Sequence, residues 1–210
     1  MTLYLHQGDL PASVSFGASV AVDTESMGLN FRRDRLCVVQ LSGGDGHAHL
    51  VQLPKNNIHA PNLARLMADA AVLKIFHFAR ADMVPIKHYI GAMPAPVYCT
   101  KIASVLSRTF SDRHSLKNLL KELLAVDVSK EQQTSDWGQE KLTPEQQTYA
   151  AGDVLYLHRL RDRLDDMLAR EGKAALARRI MDFLPTRAEM DVAGYENVEI
   201  FSYNPFPDKT

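Results

Sequence analysis

Apolar positions alternate or cluster in short runs through residues 1–53, then recur at helical spacing through most of the remaining chain. Residues 2–6 alternate weakly and predict a short edge strand, followed by a turn region at Gly8 and Pro11. Residues 20–25 and 36–41 are compact runs of apolar, strand-favouring side chains and predict buried strands. The intervening residues 26–35 hold turn formers and basic side chains and predict a loop. Gly43-Gly44-Asp45-Gly46 reads as a hairpin turn handing over to a third strand at 47–53. Three strands with short links predict an antiparallel meander.

Helices and strands then alternate. Residues 61–70 predict a helix, 72–78 a buried strand, and 81–89 a helix kinked at Pro85. A short strand follows at 97–100, and 102–106 opens another helix. Ser115 begins an amphipathic helix whose Leu116, Leu119, Leu120, Leu123 and Leu124 fall on one face. Residues 128–142 are polar and irregular and contain the single tryptophan, Trp137. Thr143-Pro144-Glu145-Gln146 is the best-marked helix start: an N-cap threonine, proline at the first position, and glutamine closing a capping box. That helix carries Tyr149, Asp153, Leu157, Leu160 and Leu164 along one broad face. Gly172 breaks it, residues 173–183 predict a further helix, and periodicity is lost from Pro185. The aromatics Tyr195, Phe201, Tyr203 and Phe206 are expected to tuck the tail onto the body. A meander followed by alternating helices and strands predicts an α/β fold, a mixed sheet flanked by helices. It is expected to form one domain, 1–184, with a tail, 185–210, packed on it.

The composition narrows the function classes. The 210 residues are 46% hydrophobic and 23% charged, which suits one globular domain with a sizeable core. A net charge of -1 excludes a global basic field, so a polyanion would have to be held by local basic patches or by metal. Cys37 and Cys99 each sit in an apolar run and read as buried thiols in a reducing compartment. The N-terminus lacks the basic and apolar regions of a signal peptide, and no apolar run approaches the about 20 residues that span a bilayer. A soluble cytoplasmic protein with no membrane partner is expected.

The chemistry centres on four carboxylates. Asp23 and Glu25 end the first buried strand two residues apart, so they project from the same face. Two like charges held there repel, and a divalent cation would relieve them; a strand ending in a polar turn is the plainer reading. Tyr149 and Asp153 lie one turn apart on the capped helix, and Gly152 weakens that helix by about 1 kcal/mol relative to alanine. A helix accepts this where a backbone or a ligand approaches closely. Asp82 falls in the first turn of the helix after His77-Phe78-Ala79-Arg80-Ala81, where the helix dipole alone would favour it. Asp23, Glu25, Asp82 and Asp153 together would form a cage for two hard cations, Mg²⁺ or Mn²⁺. Two such ions suit in-line displacement at phosphorus, one activating the attacking water and the other stabilising the leaving oxygen.

In this order the motifs resemble the ribonuclease D group of 3′→5′ exonucleases, within the DnaQ-like or DEDD superfamily. The matching residues are Val22-Asp23-Thr24-Glu25, Gln40 of the second strand, and His77-x-Ala79-x-x-Asp82. They continue through Arg113-His114-Ser115-Leu116 and Ser135-Asp136-Trp137 to Tyr149-Ala150-Ala151-Gly152-Asp153-Val154. The resemblance covers roughly residues 20–160 and implies a ribonuclease H-like fold. It implies that Asp23 bridges both metals, that Glu25 and Asp153 hold the nucleophile-side metal, and that Asp82 holds the second. Tyr149, where another branch has histidine, marks the DEDDy branch and would orient the attacking water. Departures are Phe78 where asparagine is frequent, Ala81 where a bulkier apolar residue is common, Cys99 for an aspartate, and Glu140-Lys141 for Arg-Pro. Long members append helical HRDC domains, and the short stretch after Leu160 resembles a stand-alone nuclease domain plus a tail.

Substrate grip would then come from the domain itself. Arg32, Arg33 and Arg35, with Lys101, Arg108, Arg113, Lys117 and Lys121, are candidates for phosphate contacts. Met27, Leu29 and Phe31 would stack on or wedge the terminal bases, or pack on the core. His77, His88, His114 and His158 lack zinc-like spacing. As members of the matching motifs, His77 and His114 join Thr24 among the substrate-contact candidates. The expected activity is release of nucleoside monophosphates from the 3′ end of single-stranded RNA. A single-stranded DNA exonuclease and a catalytically silent nucleic-acid-binding module are the alternatives.

Overall fold

The computed structural model describes residues 1–129 and 131–205. Six strands, β1 (Thr2–Gln7), β2 (Ser19–Ser26), β3 (Leu36–Ser42), β4 (His47–Gln52), β5 (Leu73–Phe76) and β6 (Val97–Cys99), form one sheet in the order β1-β4-β3-β2-β5-β6. The expected meander is present, with β2 antiparallel to β3 and β3 antiparallel to β4. β1 is an edge strand, running parallel to β4, while β5 and β6 extend the sheet parallel to β2. Every side chain of β3 is buried, so both faces of the sheet's centre are covered. The hairpin between β3 and β4 depends on Gly44, at φ 79, since a Cβ there would lie 2.8 Å from the His158 ring.

Helices α1 (Pro61–Ala68), α2 (Arg80–Ile90), α3 (Thr100–Ser107) and α4 (Leu116–Leu124) follow close to their expected places. Ser115 caps α4 and accepts from the Asn118 amide, as its sequence position predicts. Two boundaries move. β5 ends at Phe76 rather than at 78, and Thr100 begins α3 instead of ending β6. The two strands end opposite each other, at the pair Phe76–Cys99. Pro85 lies inside α2, with buried residues from Asp82 to Ile86 around it.

The long helix expected from Thr143 is two helices, α5 (Pro144–Leu155) and α6 (Leu157–Arg170), separated at Tyr156. The break redirects the chain, so that α5 packs on β2, β3 and β4 while α6 packs on β5, α3 and α4. Tyr149 and Asp153 thereby stay over the meander, and Leu157, Leu160 and Leu164 enter the main core. Periodicity also does not end at Pro185. Helix α7 (Ala174–Met190) runs through that proline, because Leu184 and Ala188 on either side are buried. Burial of a leucine side chain contributes about 1.5–3 kcal/mol, which goes against the backbone hydrogen bond that the proline removes.

Beyond α7 the chain turns once more at residues Asp191–Tyr195. The expected packing of tail aromatics is not found: Tyr195 and Phe201 are exposed, Tyr203 fully so, although the Phe201 ring lies 5.8 Å from that of Phe183 in a tilted arrangement. Phe206 lies outside the described residues. Charge holds this segment instead. Buried Asp191 accepts two hydrogen bonds from Arg80, at 2.6 and 2.9 Å, and pairs with Arg187 at 3.1 Å. Among the described residues no helix is long and apolar enough to cross a membrane.

Candidate active site

The site lies at the C-terminal ends of β2 and β5, where α2 begins and α5 crosses the meander. Strand pleating sends Asp23 and Glu25 to one face of β2, as expected. Across the antiparallel pairing Asp23 faces Gln40, whose amide donates to its Oδ2 at 3.4 Å. The other amide atom of Gln40, Oε1, is buried and has no hydrogen-bond partner. Helix α5 delivers Asp153 from above. One carboxylate oxygen from each of Asp23, Glu25 and Asp153 lies within 4.8 Å of the others, a set that can hold a metal ion. Asp82, buried in the first turn of α2, stands beside this trio. Its Oδ1 accepts a 2.7 Å hydrogen bond from the Thr24 hydroxyl.

Electrostatics reports the same gathering. Burial, then the neighbouring charges of Asp82, Asp153 and Glu25, raise the Asp23 carboxyl well above its usual range. Burial and the charges of Asp153 and Asp82 push Glu25 up to about 9. Burial pushes Asp82 up to about 7, against the opposing pull of its hydrogen bonds from Thr24. Such groups favour the protonated state unless a cation replaces the protons.

Tyr149 sits at the edge of the trio, hydrogen-bonded to Asp153; burial and the charges of Asp153, Glu25 and Asp23 raise its phenol above the ordinary tyrosine range. It therefore acts as an O–H donor near neutral pH and not as a base. Its ring leans on buried Trp137, with centroids 6.0 Å apart. Trp137 packs with Cys37, Val38, Leu50, Leu142 and Ala150 in a second small core beneath α5. The capping glutamine has a further role invisible in the sequence. Gln146 donates to Ser135 and to the Asp136 carbonyl, so it ties the Trp137 loop to the helix that carries Tyr149.

A cleft of about 550 Å³ runs along the outer side of α5, lined by Tyr149, Gly152, Asp153 and Tyr156 and by Ser129 and Gln132 of the preceding loop. No backbone approaches Gly152; a Cβ there would meet nothing within 4 Å. Gly152→Ala is therefore expected to stabilise the fold by about 0.5–1 kcal/mol in urea unfolding, and a loss of stability would contradict this open surface.

The remaining candidates divide. His77 Nδ1 meets the Thr100 hydroxyl at 2.9 Å, and that hydroxyl donates to the Phe76 carbonyl. The ring must then donate from Nδ1, leaving Nε2 as the acceptor in neutral imidazole. Lys101 lies over the Phe78 ring at 4.1 Å. Leu29 is fully exposed, and Met27 packs its sulfur on Gly138 of the Trp137 loop. Phe31 is half-buried against His88, so it packs on the body.

Several cations turn elsewhere. Arg32 pairs with Glu196 at 2.6 Å and donates to the Asp191 carbonyl, and Arg33 forks onto Asp34. Arg35 donates to the Gly138 and Leu53 carbonyls, a structural use. Arg108 is buried against Glu122, which also takes Arg113 at 2.9 Å, while Lys117 reaches Asp127. His114 is hydrogen-bonded to Ser104. Arg80, which no sequence motif marked as functional, links the start of α2 to the C-terminal turn.

Residues 9–169 match the family described as 3′-5′ exonuclease. The chain belongs to that family. The ribonuclease D of Granulibacter bethesdensis is 35% identical over 156 residues, 74% of this chain and 39% of that protein. The chain thus spans about two fifths of the first curated relatives it matches. The Brucella melitensis protein NrnC, solved bound to pGG, is 49% identical, with 97% of this chain and 99% of that one covered and a TM-score of 0.93. The same protein has been solved with bound Mg²⁺. Escherichia coli RNase D shares the fold at 22% identity and a TM-score of 0.73, covering 86% of this chain and 48% of its own. The ribonuclease H-like exonuclease fold expected from the sequence is the one these neighbours have.

Proposed function

We propose that this member of the exonuclease family is a metal-dependent 3′→5′ exoribonuclease that releases nucleoside 5′-monophosphates from single-stranded RNA. The observation that carries this reading is the convergence of Asp23, Glu25 and Asp153 oxygens within 4.8 Å, with Tyr149 hydrogen-bonded at their edge. The ribonuclease D names of the curated relatives and the pGG bound to the Brucella protein support RNA as the polymer.

The donor set fits hard divalent cations, Mg²⁺ or Mn²⁺: oxygens alone, from carboxyls whose pKa values are raised by burial and by one another's charge. Asp23, Glu25 and Asp153 would hold one ion, and Asp23 with Asp82 a second. When bound, such ions would neutralise charge on the phosphate and assist attack and departure at phosphorus. The chain's own groups do the positioning. Thr24 holds Asp82 by its Oδ1, and Gln40 holds Asp23, fixing the carboxylates before substrate arrives. With Asp153 turned to an ion, the Tyr149 hydroxyl would be released from it to donate its one proton to the attacking water or to a phosphate oxygen. Trp137 beneath the ring fixes that direction. A cytoplasmic enzyme suits this reading, and the two buried free thiols support it.

The test uses 5′-labelled RNA and DNA oligomers with Mg²⁺, Mn²⁺ or EDTA. The expected result is a ladder shortening from the 3′ end of RNA and silenced by EDTA. Cleavage that survives chelation would refute the metal requirement. Equal rates on DNA would show that the site does not read the ribose 2′-hydroxyl.

A further inference from the structure

Phe78 is the residue at the site for which neither folding nor the chemistry above has a use. It occupies the tight turn between β5 and α2 at φ 66, in the left-handed region that a bulky L residue enters only at a cost. Burial does not compensate, because the side chain is 48% exposed. The turn joins β5, which runs parallel beside the strand of Asp23, to α2, whose first turn carries Asp82, and so sets Phe78 beside the carboxylate site. Ala21 of β2 pairs with Ile75 of β5, and Phe76 pairs with Cys99 of β6. Two residues further along come Asp23 on β2, His77 and Phe78 after β5, and Lys101 after β6. The Lys101 ammonium lies 4.1 Å from the Phe78 ring centroid.

We infer that Phe78 is a base-stacking residue, presenting its ring to a nucleobase of the strand whose terminal phosphodiester lies on the carboxylates. Lys101, held at the ring by cation–π attraction, meets the phosphate next to that base. The assignment rests on the nuclease reading given above. An exposed aromatic is apolar surface left in water, and here it also holds a strained backbone. A ligand with a flat face gives both a function, because any base stacks whatever its sequence. Asparagine tolerates this backbone region better than phenylalanine, so the ring is kept against local stability.

Phe78→Asn and Phe78→Trp separate stacking from structure. The substrates are an RNA oligomer and the same oligomer with abasic residues at its last two positions. Phe78→Asn is expected to raise the thermal midpoint and to raise KM on intact RNA about 5- to 100-fold with kcat within about twofold. It should leave KM on the abasic oligomer unchanged, and Phe78→Trp should retain the wild-type KM. A lower thermal midpoint for Phe78→Asn, an unchanged KM on intact RNA, or an equal rise on both oligomers would overturn the assignment. Wild-type protein that cleaves no oligomer would overturn the nuclease reading and this one with it. Wild-type cleavage with an unmoved KM in Phe78→Asn overturns the stacking role alone.

Discussion

Asp23→Asn is expected to abolish exonuclease activity and, in the same protein, to raise the stability of the metal-free chain. The loss follows from the position of Asp23, which shares the trio with Glu25 and Asp153 and feels Asp82 as its strongest neighbouring charge. Metal assistance is worth several kcal/mol at the transition state, so removing the residue proposed as ligand to both ions should cost about 10³-fold or more in kcat. The gain follows from repulsion. Carboxyls whose pKa rises on folding bind extra protons in the folded state, and stability then falls as pH climbs above their unfolded values, about 4. Asp82 is raised to about 7 and Glu25 to about 9, so the decline should run from about pH 4 to pH 9 in the metal-free protein. Asparagine at position 23 removes one charge from the cluster and should recover about 1–3 kcal/mol near pH 8. Thermal midpoints between pH 5 and 9, with EDTA and with Mg²⁺, measure this. The wild type should lose stability with rising pH in EDTA, regain it with Mg²⁺, and show a steeper decline than the variant. A variant less stable than the wild type at pH 8 in EDTA would contradict the repulsion.

Tyr149→Phe is the second large expectation, of a different kind. The phenol donates to Asp153 and is held protonated by burial and by the carboxylates around it. Removing the hydroxyl deletes an oriented donor and leaves every carboxylate in place. The ring still packs on Trp137. The expected result is a fall in kcat of about 10²-fold, with KM and Mg²⁺ affinity changed little. Loss of Mg²⁺ affinity would make Tyr149 a support for Asp153 rather than a group that addresses the reacting water or phosphate.

The parts of this fold that local chemistry decides were legible in the sequence. The period-two run into Asp23 and Glu25, the Ser115 cap and the Thr143–Gln146 capping box depend on near neighbours, and each stands where its pattern predicts. Features decided by distant packing were not. The break at Tyr156 arises because α5 and α6 face different strands, and no residue near it signals that change. The passage of α7 through Pro185 depends on burial of Leu184 and Ala188. The basic residues were harder still. Arg32 belongs to the basic cluster expected to contact phosphates, yet Glu196, far along the chain, takes its guanidinium. Asp191 takes Arg80 in the same way. Phe78 was visible as a departure from the family pattern, but its left-handed backbone and its lysine neighbour are tertiary facts.

The four carboxylates named from the sequence stand together in the folded chain, and two of them, Asp23 and Asp82, are held by Gln40 and Thr24. The claim that they are gathered for two cations is tested most directly by soaking crystals of the wild-type protein in Mn²⁺ and measuring anomalous diffraction. The expected result is two peaks about 3.5–4 Å apart, one within reach of Asp23, Glu25 and Asp153 and the other of Asp23 and Asp82. An absence of peaks among these residues at saturating Mn²⁺, with the protein active in the same buffer, would contradict it.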